Sequence, residues 1–319
     1  MTRALVDTDG TLDWTKVELP ALGENDVRIR VRAAGVNRAD LIQRAGHYPP
    51  PRGASPILGL ECAGEIIEAG PESAWAPGDR VAALLTGGGY AEEVVCDSGL
   101  CLPLPDRLSF AEGAALPEVL CTAHDNLFAQ GELKPGERVL IHAGGSGVGA
   151  AAVQLCRAMG HPCFVTLGSA EKLDQAMALG ASAGAIRHDG PWWEHSWLEA
   201  GVDVALCPVG ASYLGANLRV LRPLGRLVVI GLLGGRTADL DLGRLLVKRL
   251  TVRGSVLRGR TLHDRRAVVQ AVRTEVWPRV ASGEIRPILH RVFPADEADQ
   301  AHALLASNRT FGTLVLTFD

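Results

Sequence analysis

Residues 139–156 read VLIHAGGSGVGAAAVQLC, eighteen positions with no carboxylate, lysine or arginine and with glycine at 144, 145, 147 and 149. A membrane helix needs about 20 apolar residues, and glycines in its middle would each cost up to about 1 kcal/mol. The stretch therefore divides. Arg138-Val139-Leu140-Ile141-His142 is a short apolar run of strand type, while Ala150 to Met159 favours helix and meets its stop at Gly160. The glycines are the turn between them. A nucleophile elbow requires G-x-S-x-G, and Ser146 has Val148 where the last glycine belongs.

A strand, a glycine turn and a helix bring bare backbone amides and the positive end of a helix dipole to one point, which suits the pyrophosphate of a dinucleotide. Counted from Gly144 the spacing is G-x-S-x-x-G, with Ser146 in place of the middle glycine; counted from Gly145 it is G-x-G-x-x-A, ending at Ala150. By itself the motif is weak, a tight strand-to-helix connection that holds no ligand being the competing reading, so the surrounding chain has to decide.

At 319 residues and 47% hydrophobic, the chain can bury a large core and is long for one compact unit, so two domains are expected. A net charge of −4 gives no general attraction to nucleic acid or acidic membranes. The opening Met1-Thr2-Arg3-Ala4-Leu5-Val6 alternates like a strand rather than reading as a leader, and the seven cysteines are scattered and never spaced C-x-x-C. Reduced thiols and a cytoplasmic location are the expectation.

Two textures follow along the chain. Up to Cys121 short β-type runs are broken by Gly and Pro: 26–33, 63–69, 80–84 and 90–96. From Thr122 to about residue 260, strand-like runs at 138–142, 163–167, 185–188, 202–209, 226–231 and 250–257 alternate with helical segments at 147–160, 169–179, 212–221 and 241–249. That alternation predicts an α/β fold with a doubly wound, six-stranded parallel sheet. After a helical 265–282 the last residues return to β character, ending in Gly312 to Phe318, and the segment 261–319 is expected to return to the first domain.

In such a sheet an acid about 20 residues past the glycines binds the ribose 2′-hydroxyl of NAD. Residues 150–170 contain none, and the second strand instead ends in Gly168, Ser169 and, one turn on, Lys172. A hydroxyl at a helix N-cap with a lysine in the first turn suits a 2′-phosphate, so NADPH is the expected cofactor. Glu171 would then face solvent. Ser169 as a plain helix cap with a solvated Lys172 is the competing reading.

With these parts in place, the sequence resembles the medium-chain dehydrogenase/reductase superfamily over nearly its full length. The segments that carry the resemblance are Gly59 to Gly64, Pro77 to Val81, Gly88 to Val94, Lys134 to Val139 and the glycine turn. It implies a GroES-like β-barrel catalytic domain beside a Rossmann domain. The alcohol dehydrogenases of that superfamily hold a catalytic zinc with an early cysteine and a histidine in G-H-E; here those positions are Asn37 and Leu60, and of the four cysteines of the structural zinc only Cys96 and Cys101 lie nearby. Zinc prefers thiolate and imidazole, so no metal is expected.

The zinc-free branch it is similar to is that of the zeta-crystallin-like quinone oxidoreductases. GVNRADLIQRAGHYPPP (35–51) and residues 142–149 look especially like the subgroup containing the tumour-suppressor-inducible quinone oxidoreductase. The resemblance implies Asn37, Asp40 and Tyr48 at the nicotinamide and substrate. It also implies a cofactor set of Thr122, Gly144, Ser146, Gly147, Val148, Gly149, Ser169, Lys172, His188, Gly231 and Leu233. Where some relatives carry a tyrosine near the 2′-phosphate this chain has Arg187 and His188. Asp40 reads as structural rather than as a base, and His124 and His142 as packing histidines.

The expected activity is hydride transfer from NADPH to a quinone, with a homodimer or tetramer suggested by the β-type edge run Leu250 to Leu257. An NADPH-dependent enone or enoyl-thioester reductase is the alternative within the same fold. A nucleotide-gated RNA-binding protein is the alternative of another class: Arg244, Lys248, Arg249, Arg253, Arg258, Arg260, Arg265 and Arg266 form a basic run, but without the interleaved aromatics that stack bases.

Overall fold

The structure, a computed structural model, describes residues 1–318. The chain forms two compact units, Thr122–Val256 and a unit made of Met1–Cys121 with the residues from Leu257 onward. The return to the first unit begins at Leu257, and Arg258 Nε already donates to Thr86 O within that unit.

In Thr122–Val256 six parallel strands lie in the order Ala183–Ile186, Cys163–Leu167, Val139–His142, Val202–Cys207, Leu221–Val229, Thr251–Gly254. The central strands are almost wholly apolar, as strands covered on both faces must be. The order reverses beside Val139–His142, and such a reversal opens a crevice at the carboxyl ends of the strands. Helix Gly147–Ala158 leaves from that end. It is buried all round from Gly149 to Cys156, and small alanines let it lie close on the sheet.

In the other unit the strand Asp26–Val36 is the hub. It pairs antiparallel with Glu61–Ala69, with Glu93–Asp97 and with the C-terminal Thr313–Thr317. Pairing of residues 314–317 with 33–36 explains why the end of the chain reads as β and belongs to the first unit. One apolar cluster fills this unit, including Ile29, Val31, Ile66, Val81, Phe293 and Leu316, with the fully buried Tyr90 beside them. Among the described residues no helix is long and apolar enough to cross a membrane.

Some boundaries differ from expectation. The run 265–282 is two helices, Leu262–Glu275 and Trp277–Ser282, since Pro278 has no N–H to continue the first. The strand after helix Leu214–Val220 starts at Leu221, and residues 90–92 are a connection before Glu93–Asp97. Helix Arg38–Arg44, the helix Pro117–His124 with its π continuation Asp125–Gln130, and helix Ala298–Ala306 carry no strong periodic signature.

Candidate active site

In the unit Thr122–Val256 a nucleotide cradle begins where Val139–His142 stops. Ala143 takes a left-handed conformation (φ 52°), the N–H of Ser146 donates to its carbonyl at 2.9 Å, and the chain turns into Gly147–Ala158. Ser146 is the N-cap: its Oγ accepts from Gly149 N at 3.0 Å and its carbonyl from Ala150 N at 2.8 Å. The remaining first-turn amides, those of Gly147 and Val148, have no partner within the helix and point out of its N-terminus, as an anion site needs.

Two of the turn's glycines, Gly144 and Gly149, are sterically required. A Cβ on Gly144 would lie 2.8 Å from Val165 Cγ1, and one on Gly149 would lie 2.7 Å from Gly144 Cα and closer still to the Ala143 carbonyl oxygen. That is a cradle closed to side chains, which fits a dinucleotide pyrophosphate.

At the end of Cys163–Leu167, Ser169 caps helix Ala170–Leu179, its Oγ accepting from Lys172 N at 3.4 Å. Lys172 is partly buried, and desolvation first, then the nearby Arg187, lowers its pKa. Arg187 lies beside Gly168, the guanidinium carbon 3.8 Å from where a Cβ there would stand. Its Nε donates to His188 Nε2 at 2.9 Å. His188 thus orients Arg187, which lies beside Gly168 and acts electrostatically on Lys172, while Glu171 is exposed. A hydroxyl-capped helix end flanked by two cations fits a phosphate and gives a bare ribose diol no acidic partner. Gly231 and Leu233 follow Leu221–Val229, with Leu233 N donating to Pro208 O at 3.2 Å. Thr122 lies on helix Pro117–His124, its carbonyl accepting from Asn126 Nδ2 at 2.7 Å.

In the first unit Asn37 heads helix Arg38–Arg44. Its N–H donates to Asp40 Oδ2 at 2.7 Å, and its Nδ2 donates to Glu61 Oε1 at 2.7 Å. Glu61 is wholly buried, and its other oxygen accepts from Glu118 N at 2.9 Å. Burial, opposed by those two bonds, pushes its carboxyl up to about 8. Glu61 touches the side chain that occupies the family's cysteine position, and the histidine position is a buried leucine, Leu60. An amide nitrogen that donates and a leucine with no lone pair do not fit zinc. Among the described residues no cluster of His, Cys, Asp and Glu has a metal-holding arrangement.

Asp40 is also buried, its pKa raised to about 6 chiefly by desolvation. It accepts from Asn37 N, from Gly59 N at 3.1 Å and from Tyr90 Oη at 3.3 Å. A carboxylate so engaged anchors the loop around Asn37. Tyr48 is half-buried, and burial raises its phenol, so it stands as a hydroxyl donor. The guanidinium of Arg258 lies 5.3 Å from the Tyr48 ring centroid.

Arg258 is the functional candidate that sequence reading placed elsewhere. As one of a basic run it reads as solvated, yet it is 5% exposed. Nor is the run a uniform basic stripe: Lys248 Nζ donates to the carbonyls of Leu218, Arg219 and Leu221, Arg253 pairs with Glu132 and Arg266 with Asp97. His142 packs as expected, between Thr166 Oγ1 (2.9 Å) and Asn217 Oδ1 (2.7 Å), with burial lowering its pKa to about 4. His124 is buried against Phe128.

Comparison with known proteins gives the following. Residues 147–274 match the family described as zinc-binding dehydrogenase, and residues 23–106 the alcohol dehydrogenase GroES-like domain. The quinone oxidoreductase of Thermus thermophilus, solved with and without NADPH, is 33% identical, with a TM-score of 0.84 and 100% of both chains covered. The CurK enoyl reductase is 27% identical, with a TM-score of 0.86, covering 100% of this chain and 99% of that one. The spectinabilin polyketide synthase system protein NorB of Streptomyces orinoci is 36% identical over 93% of this chain, which spans 13% of that protein's length.

Proposed function

The chain belongs to the medium-chain dehydrogenase/reductase superfamily of oxidoreductases, whose members use nicotinamide cofactors, and from that premise we propose that it is a zinc-independent, NADPH-dependent quinone oxidoreductase. The observation that carries the reading is the Asn37–Glu61 hydrogen bond beside a buried Leu60, which leaves the family's metal positions with no zinc ligand. Without a Lewis acid, the acceptors within reach are those already electron-poor. Quinones are such acceptors, and for them the protein's task is to bind, orient and exclude water.

Ser146, Gly147 and Val148 would hold the pyrophosphate, and Lys172 and Arg187 the 2′-phosphate. When bound, the dinucleotide supplies the hydride. Asn37 orients the reacting groups from a side chain fixed by Glu61, and Tyr48 offers a proton. A second reading, an enoyl-thioester reductase, is favoured by the likeness to CurK and by the polyketide synthase relatives. It calls on Tyr48 or solvent to protonate carbon rather than oxygen.

A charge-assisted contact to phosphate is worth roughly 1.5–3 kcal/mol, or about ten- to a hundredfold in affinity. Lys172→Ala is expected to weaken NADPH by about that factor, toward the lower end because Arg187 shares the load, and to leave NADH nearly unchanged. Fluorescence titration of both cofactors decides; equal losses for both would defeat the NADPH assignment. Rapid-mixing assays of quinones, enones and enoyl thioesters with NADPH separate the two acceptor readings, and a chain reducing only enoyl thioesters would overturn the first.

A further inference from the structure

Arg258 is held by three contacts on one side. Its Nε donates to Thr86 O at 2.8 Å, its Nη1 lies 3.4 Å from Tyr48 O, and the guanidinium lies over the Tyr48 ring. Its Nη2 is buried and has no hydrogen-bond partner among the described residues. Guanidinium cannot be deprotonated in a protein, so this N–H must donate to something. Leaving it unpaired in the interior costs the full desolvation of a charged donor. Asp40, Tyr48 and Glu118 lie near enough to act on Arg258 electrostatically, and of these Asp40 accepts from Asn37 N while the Glu118 amide donates to Glu61.

We propose that Arg258 Nη2 is the donor that receives the acceptor's carbonyl oxygen and stabilises the negative charge that reduction places there, with Tyr48 as the adjacent proton source. This rests on the reductase reading above and narrows it: the acceptor presents an oxygen that becomes an oxyanion, as quinones, enones and enoyl thioesters all do. In the step the acceptor gains a hydride from a dihydronicotinamide. One C–H bond breaks on the donor, which is oxidised, and one bond to hydrogen forms on the acceptor, which is reduced. The displaced π electrons settle on the carbonyl oxygen beside Nη2. A proton from Tyr48, replaced from water, completes the reduction.

A preorganised donor aimed at developing charge is worth more than one in water, because it needs no reorganisation. Arg258 meets that condition, since Thr86 and the Tyr48 ring fix its plane before any acceptor arrives. Where an ammonium would present a mobile point charge, the guanidinium keeps its other nitrogens anchored while Nη2 is spent on the ligand.

The test uses Arg258→Lys and Arg258→Met with the protein saturated with NADP⁺, and reads binding of 4-nitrophenol as its phenolate by absorbance, alongside kcat with a quinone. Wild type is expected to bind the phenolate and to lower the phenol's pKa. Arg258→Met is expected to lose about ten- to a hundredfold in phenolate affinity and a similar factor in kcat, with NADPH affinity unchanged. Arg258→Lys is expected to fold with the wild-type thermal midpoint and to recover only part of the phenolate binding. If Arg258→Met does not fold, the lysine variant decides: phenolate affinity within threefold of wild type overturns the proposal, and a larger loss with intact NADPH binding supports it. No phenolate binding by wild type, or binding and kcat unaltered in both variants, also overturns it. A wild type that reduces no acceptor defeats the reductase reading instead, while the phenolate titration still decides Arg258.

Discussion

Glu61 shows how a single buried group links the site to the stability of the fold. Its folded-state pKa of about 8 stands above the ordinary 4.5, and burial is the largest cause. Between those values the folded chain keeps a proton that the unfolded chain has released, so stability present below about pH 4.5 is lost as pH rises through about 8. Asp40 adds the same sign between 3.8 and about 6. Glu61→Gln is expected to flatten the upper part of this slope. It also lowers stability at acid pH, because an amide NH₂ must now face either Asn37 Nδ2 or Glu118 N, both donors. Denaturant unfolding near pH 5.5 and pH 8 measures it, and identical slopes in variant and wild type would count against the assignment. Of these residues the sequence showed Asn37, Asp40 and Tyr48, because they sit in one recognisable run. The roles of Glu61 and Arg258 were hidden, since Glu61 gains its meaning from residues 37 and 118, and Arg258 from residues 48 and 86. Partners so far apart in the chain leave no local pattern.

At the scale of elements, the strand–turn–helix at 139–158 was legible because three signals coincide: an apolar run, glycines at the turn and an alanine-rich helix. The reading also separates glycines that matter from those that do not. Gly149 has backbone atoms against its missing Cβ, and backbone cannot swing aside; Gly215, within helix Leu214–Val220, has nothing within 4 Å. Gly149→Ala is therefore expected to destabilise by about 1–3 kcal/mol and to weaken NADPH, whereas Gly215→Ala gains about 0.5–1 kcal/mol from helix propensity and leaves binding unchanged. Equal tolerance of the two substitutions in denaturant unfolding and cofactor titration would show that the turn is not the close-packed cradle described here. The short helices at 38–44 and 117–124 escaped the sequence for the opposite reason. Tertiary contacts, such as Asp40 with Gly59 and the Glu118 amide with Glu61, decide them rather than periodicity.

For the molecule as a whole, the unit Thr122–Val256 ends its sheet in a strand that, among the described residues, pairs on one side only, Thr251–Gly254 against Leu221–Val229. Beside it in sequence, helix Leu242–Lys248 leaves Leu242, Leu246 and Val247 exposed, the last two at 76% and 78%. Scattered apolar residues need no explanation, but three on one seven-residue helix, followed by Val252 and Val256 also exposed, make a surface that water does not favour. Burying each such side chain fully is worth about 1.5–3 kcal/mol. A two-fold copy satisfies both features at once: antiparallel pairing of Thr251–Gly254 with its mate closes the open edge, and the symmetry presents the same apolar helix from each partner. The expected state is thus a dimer or a dimer of dimers. Leu246→Asp combined with Val252→Lys should yield a folded monomer, with NADPH binding retained because neither residue belongs to the nucleotide cradle. Light scattering at micromolar concentration measures it. Wild-type protein that is monomeric under those conditions would show that this apolar face serves something other than a second copy of the chain.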